Sequence, residues 1–137
     1  MFKMLSNEDI EKSLNQTTRQ YLVGQLKLPQ ILNHIDDPNI EIGITDYDEY
    51  FMEQPHWHKV AYEYQYVLSG ETKYLDITNG EEHCYKQGDF FRIEPHTTYA
   101  QKSIAGTRIM FIKTPPGNDK VSEEADEKTR AWITKWE

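Results

Sequence analysis

The strongest constraint on this chain is the run Pro55-His56-Trp57-His58, continuing after Lys59-Val60-Ala61 as Tyr62-Glu63-Tyr64-Gln65-Tyr66-Val67-Leu68-Ser69-Gly70. Aromatic and β-branched residues make it strand-forming. Side chains alternate across a strand, so His56 and His58 project from one face and their imidazoles can converge on one metal ion. Glu63 supplies a third ligand if a bend or bulge in that strand turns it toward the same interior. Two imidazoles and one carboxylate leave coordination positions open, which suits a reactive metal rather than a purely structural one.

The rest of the chain bounds this reading. Its 137 residues support one domain, 1–137, with a real core, and are too few for two comfortable ones. The formal net charge of -8 repels phosphate, and no basic patch interleaved with aromatics offsets it, so nucleic acid is not an expected partner. Met1 to Leu5 gives way to polar Ser6-Asn7-Glu8-Asp9 without the apolar run of a secretory signal. No run is apolar enough to span a membrane, so no membrane partner is expected. The single cysteine, Cys84, cannot form an internal disulfide, in agreement with a cytoplasmic location. It is expected as a packed or half-exposed strand residue.

Local patterns point to an all-β chain with helical ends. Ser6 is suited to cap a short helix with Glu8 and Asp9 in its first turn and Ile10 and Leu14 on one face. Tyr21-Leu22-Val23 and the alternating Ile40, Ile42 and Ile44 read as strands, and Ile31-Leu32 allows one helical turn at most. Lys73 to Ile77 leads into Asn79-Gly80, a pair favoured in tight hairpins, and the chain returns over Glu81 to Lys86. Gly88-Asp89, Pro95 and Gly106 punctuate Phe90 to Ile93, Tyr99 to Ser103 and Arg108 to Lys113. Short strands at this spacing indicate a sandwich or barrel. Near the C-terminus Ser122 is a candidate helix cap, with Trp132 and Trp136 four apart as packing anchors, and a final strand is the competing reading.

These residues resemble the cupin superfamily, small β-barrels of the jelly-roll (double-stranded β-helix) kind. The family's first motif is matched by His56, His58, Glu63 and Gly70, and the second in part by Gly88-Asp89-Phe90-Phe91-Arg92-Ile93-Glu94-Pro95. Aligned on Pro95, the last histidine of that motif is replaced by Tyr99. The resemblance spans residues 41–115, leaving an N-terminal extension over 6–39 and a tail over 116–137. It implies a divalent metal, Fe, Mn, Ni or Zn, at His56, His58 and Glu63, and a small polar molecule such as an oxo acid, an enol or a sugar derivative in the barrel. It also implies a homodimer, with Trp57 a candidate for its interface.

Tyr99 is expected to act as a neutral phenol that hydrogen-bonds metal-bound water or substrate, and so is the candidate catalytic group. His96 sits in a proline turn, where solvent exposure is the plainer account. By parity Gln65 joins Glu63 and Gln101 joins Tyr99 in the interior. Phe91, Met110 and Ile112 are candidate apolar walls. Tyr62, Tyr64 and Tyr66 form a stripe on the opposite face, suited to a second sheet or another subunit. Three functions stay open: a metal-dependent enzyme, a non-catalytic binding cupin, and an isomerase working by acid and base groups alone.

Overall fold

In the computed structural model, which describes residues 1–137, Ser6 accepts from the Asp9 amide and starts helix α1 (Asn7–Leu14), whose Ser13 and Leu14 are buried. Ten strands follow: β1 (Arg19–Val23), β2 (Glu41–Tyr47), β3 (Phe51–His58), β4 (Tyr62–Ser69), β5 (Glu71–Asp76), β6 (Glu82–Lys86), β7 (Phe90–Ile93), β8 (Tyr99–Ser103), β9 (Thr107–Thr114) and β10 (Lys120–Ser122). Helix α2 (Glu127–Thr134) closes the chain. The strands form two five-stranded sheets in the orders β1-β2-β9-β4-β7 and β10-β3-β8-β5-β6, all neighbours antiparallel. This is the jelly-roll arrangement the sequence implied, with a helix at each end. No helix is long and apolar enough to cross a membrane.

One expectation is corrected at once. The histidine run and Glu63 do not share a bent strand: β3 ends at His58, the chain turns a corner over 59–61, and β4 lies in the other sheet. Antiparallel sandwiches close by such sheet switches. Glu63 therefore faces the histidines from the opposite wall.

Between the sheets Val67, Tyr74, Phe91 and Tyr99 form a buried cluster flanked by Tyr85 and Ile93. Tyr85 and Phe91 are stacked at 3.8 Å between ring centroids, and Tyr74 meets Phe91 edge-on at 5.1 Å. Gly70 turns β4 into β5 at φ 78°, and a Cβ there would lie 2.5 Å from the Thr107 Cα. Only glycine relieves both the left-handed backbone and that close approach. Arg108 ties α1 to the barrel, contacting both Glu11 carboxylate oxygens and, at 2.7 Å, Asp46 Oδ2.

The ends depart from the sequence reading in detail. Asp126, not Ser122, caps α2, and Ser122 ends β10, so the helix and the final strand both form. Trp136 lies beyond the helix end at Lys135. The indoles nevertheless anchor the tail, because Lys102 Nζ sits 4.2 Å over Trp132 and Lys73 Nζ 4.1 Å over Trp136. Lys102 also donates to the Trp132 and Lys135 carbonyls, 2.8 and 2.9 Å away. The β5–β6 hairpin forms, but its turn runs over residues 77–81 because Asp76 and Asn79 side chains accept from the Thr78 and Glu81 amides. Ile40 precedes β2, and no helical turn forms at Ile31-Leu32. Cys84 is exposed on the edge strand β6.

Gly70→Ala is expected to cost about 2–4 kcal/mol, because strain and overlap with Thr107 add. Gly80→Ala, at φ 75° with nothing within 4 Å, is expected to cost about 1 kcal/mol. Urea denaturation of both variants measures the difference; equal losses would contradict the close packing at Gly70.

Candidate metal and ligand site in the barrel

A cavity of about 160 Å³ opens between the sheets. His56, His58, Glu63, Gln65, Tyr99 and Gln101 all line it. Strand β3 brings the histidines from one sheet, β4 brings Glu63 and Gln65 from the other, and β8 brings Tyr99 and Gln101. The imidazoles are 5.3 Å apart between centroids and nearly perpendicular, at 86°. His56 is 2% exposed and His58 7%, so their orientation depends on hydrogen bonds rather than solvent.

Each ring is fixed through Nδ1. His56 Nδ1 lies 3.1 Å from the Gln54 carbonyl and 3.4 Å from Glu53 Oε1. His58 Nδ1 lies 2.7 Å from Asp119 Oδ1. Acceptors at Nδ1 put a proton there and leave Nε2 to the cavity. There His56 Nε2 is 2.9 Å from the Tyr99 hydroxyl, and His58 Nε2 is 3.3 Å from Glu63 Oε1. Tyr99 also reaches Glu63 Oε2 at 3.4 Å. Gln65 Nε2 donates to the same oxygen at 3.2 Å, while its carbonyl accepts from Tyr74 at 2.7 Å. Gln101 donates to the Thr72 and Ser103 hydroxyls at 3.3 and 3.2 Å.

Asp119 is the pivotal carboxylate. Its Oδ2 accepts from the Val60 and Ala61 amides at 2.9 and 2.8 Å while Oδ1 holds His58. Burial works to raise its carboxyl, but the Val60 amide, the His58 ring, the Ala61 amide and Lys113 hold it far below the usual carboxylate range. Burial, partly opposed by Glu53, lowers His56, which favours the neutral ring. Burial, then the charge of Glu63, pushes the Tyr99 phenol well above its ordinary value, so it remains protonated.

The donor types present are those that ligate divalent metals. Two Nε2 lone pairs and a carboxylate reach one cavity, and the acceptors behind the rings are of the kind that orient metal-bound histidines. As the side chains stand, no group of three or more His, Cys, Asp or Glu is arranged to hold a metal ion.

Some expectations on the walls are corrected. Met110 pairs with Ile44 and Tyr66 across the sheet and shares their outward face, whereas Ile109 and Phe111 line the cavity. Ile112, two positions on from Met110, shares that face and also points away from the cavity. Phe91 lies in the core cluster against Tyr85 rather than on the cavity wall. His96 is exposed at φ 65° and stacks on Trp57 at 5.4 Å, away from the site. Trp57 also donates to Glu123 at 2.8 Å.

Several site groups escape sequence reading. Glu53 joins His56 on the inner face although three positions separate them, because β3 bulges between them. Asp119 lies 61 residues from His58 in a loop of turn-forming residues, with no spacing signal. Arg19, Tyr47, Tyr74, Lys113 and Lys120 also line the cavity.

Comparisons with known proteins agree with this fold. Residues 46–112 match a family described as Cupin domain. The fold is similar to that of KdgF from Halomonas sp., with TM-score 0.56 and 19% identity over 74% of this chain and 80% of that one. It is similar to an RmlC-like cupin from Shewanella frigidimarina, with TM-score 0.55 and 20% identity over 74% and 78%. It also resembles Streptomyces Pac13, described as a nucleoside dehydratase, with TM-score 0.56 and 16% identity over 68% and 75%. No curated protein sequence matches.

The buried site has a pH signature. Unfolding frees His56 to take its proton near the ordinary value of 6.5, whereas the folded chain resists it until lower pH. The unfolded state then binds more protons, so stability rises with pH through that window and falls on acidification. Chemical denaturation between about pH 8 and about pH 5 should show this loss in the metal-free protein, and His56→Gln should flatten it. An unchanged slope in the variant would contradict a buried neutral His56.

Proposed function

We propose, from the premise that this chain belongs to the cupin superfamily, that its barrel binds a small polar molecule beside a divalent metal ion held by His56, His58 and Glu63. One observation carries the reading: both imidazoles are pinned through Nδ1, so both Nε2 atoms reach the cavity that holds Glu63. When bound, such a metal supplies Lewis acidity that polarises a ligand oxygen, or a site for dioxygen activation. The protein's own groups do the rest. Tyr74 orients Gln65, and Gln65 orients Glu63. Tyr99, a neutral phenol 2.9 Å from His56 Nε2, donates a hydrogen bond to the ligand and is the candidate proton carrier. The description of Pac13 as a nucleoside dehydratase supports an enzymatic use of the barrel.

A second reading rests on a different observation. Glu53, His56, Tyr99, Glu63, His58 and Asp119 form an unbroken series of polar contacts, each between 2.7 and 3.4 Å. Such a series serves proton transfer by acid and base groups without a metal, with Tyr99 or His58 as carrier. A non-catalytic binding role is the remaining alternative. For the quaternary state we propose a homodimer through the outward stripe, where Tyr62, Tyr66 and Phe90 are 37%, 44% and 59% exposed. Trp57 is already engaged within its own chain.

Elemental analysis of the purified protein separates these readings. About one metal per chain is expected, abolished by His56→Ala and by Glu63→Ala. Asp119→Asn is expected to weaken metal affinity by about 10–100-fold through loss of His58 orientation. A protein that stays free of metal after supplementation with Fe, Mn, Ni and Zn would end the metal reading in favour of the acid–base relay. Light scattering tests the dimer, which Tyr66→Glu should dissociate.

A further inference from the structure

Three cations line the cavity: Arg19, Lys113 and Lys120. Two are neutralised within the chain. Lys120 Nζ is 2.9 Å from Glu53 Oε1, and Lys113 Nζ is 3.3 Å from Asp119 Oδ1 while also donating to the Gly117 carbonyl. Arg19 has no ion-pair partner among the salt bridges of the structure. Glu53 and Glu63 lie across the cavity from it, and neither forms an ion pair or hydrogen bond with the guanidinium.

The guanidinium is held in place by neutral contacts. Nε donates to Thr45 Oγ1 at 2.9 Å. Its Cζ lies 4.9 Å over the Phe111 ring, which Tyr21 braces edge-on at 5.5 Å. The ring fits there because residue 43 is glycine: a Cβ at Gly43 would lie 2.3 Å from Phe111 Cζ. A cation at an exposed position, fixed by neutral groups and without a direct ion-pair partner, is prepared for an anion from outside.

Arg19 also stands at a boundary. Together with Tyr21, Glu41, Lys113 and Asn118 it lines both the inner cavity and an outer chamber of about 810 Å³ walled by the loop from Gln25 to Ile31. The outer chamber therefore borders the cavity of His56 and His58 at the Arg19 guanidinium.

We propose that Arg19 is the specificity-determining residue of the site, and that the ligand is a small monocarboxylate whose carboxylate Arg19 holds at the mouth while its other end faces His56, His58, Glu63 and Tyr99. The planar guanidinium matches a carboxylate in shape, and a single unpaired cation matches a single negative charge. A phosphate dianion would need further unpaired donors, and both lysines are already engaged. The proposal rests on the preceding section for the position of the reacting end and adds the chemical class of the ligand.

The test is calorimetric or NMR titration of the metal-supplemented full chain with pyruvate, lactate and glycolate, their amides, and inorganic phosphate. The acids are expected to bind and the amides to bind at least about tenfold more weakly. Arg19→Gln should erase that preference while leaving metal content unchanged, and Arg19→Lys should restore part of it. The comparison of acid with amide on the unaltered protein stands even if a variant fails to fold. The proposal is overturned if acids and amides bind alike, if Arg19→Gln retains the preference, if phosphate binds more tightly than the acids, or if no acid binds by about 10 mM. Failure of the metal reading looks different: metal content stays at zero while the preference for acids persists.

Discussion

The site depends on one carboxylate holding a corner. Asp119 accepts from the Val60 and Ala61 amides with one oxygen and from His58 with the other. Those amides belong to the turn where the chain leaves one sheet for the other. The contact that orients an imidazole therefore also sets the path that delivers Glu63 to the opposite wall. An aspartate buried without such donors would be costly, and here two backbone amides and a ring satisfy it. Chain path and site geometry are consequently coupled through a single side chain.

The interior is unusual in its polarity. Thr72, Gln65, Gln101, Ser103, His56 and His58 are all buried, and no buried side-chain nitrogen or oxygen lacks a partner. A cavity of this kind keeps its groups in fixed orientations, because turning one would strand another. The aromatic cluster of Tyr74, Phe91, Tyr85 and Tyr99 supplies the apolar support. Tyr74 and Tyr99 belong to both sets: their rings pack in the core, and their hydroxyls reach Gln65, His56 and Glu63. Core packing thus positions the polar groups directly.

Charged side chains help to secure the two ends of the chain, beside the buried Leu14 of α1 and Ile133 of α2. Arg108 joins Glu11 to Asp46, and Lys73 and Lys102 hold the C-terminal tryptophans by carbonyl and ring contacts. Lys73 and Lys102 are cross-strand partners on β5 and β8, so two like charges meet on one face. The Trp132, Lys135 and Trp136 carbonyls and the two indoles offset their repulsion. The outward aromatic stripe on β4 and β7 has no cover within the chain and is the surface proposed for self-association.

Much of this was legible in the residues. Alternation, turn residues and the spacing of His56, His58, Glu63 and Gly70 identify strands, a barrel and a candidate site, since these signals are local. Parity also placed Gln65 and Gln101 in the interior. No local signal indicates which face of β9 is inner, so Met110 reads as a wall residue, and a bulge breaks the alternation that would relate Glu53 to His56. Asp119 and Arg19 were illegible for another reason: each meets the site across a long sequence separation and belongs to no motif. The sequence by itself determined the local conformations and the residue types available for chemistry, because these follow from short-range sterics and period. Only the tertiary structure decided which wall Glu63 occupies, which acceptor fixes His58, and which cation is left unpaired, because those depend on how two sheets register against each other.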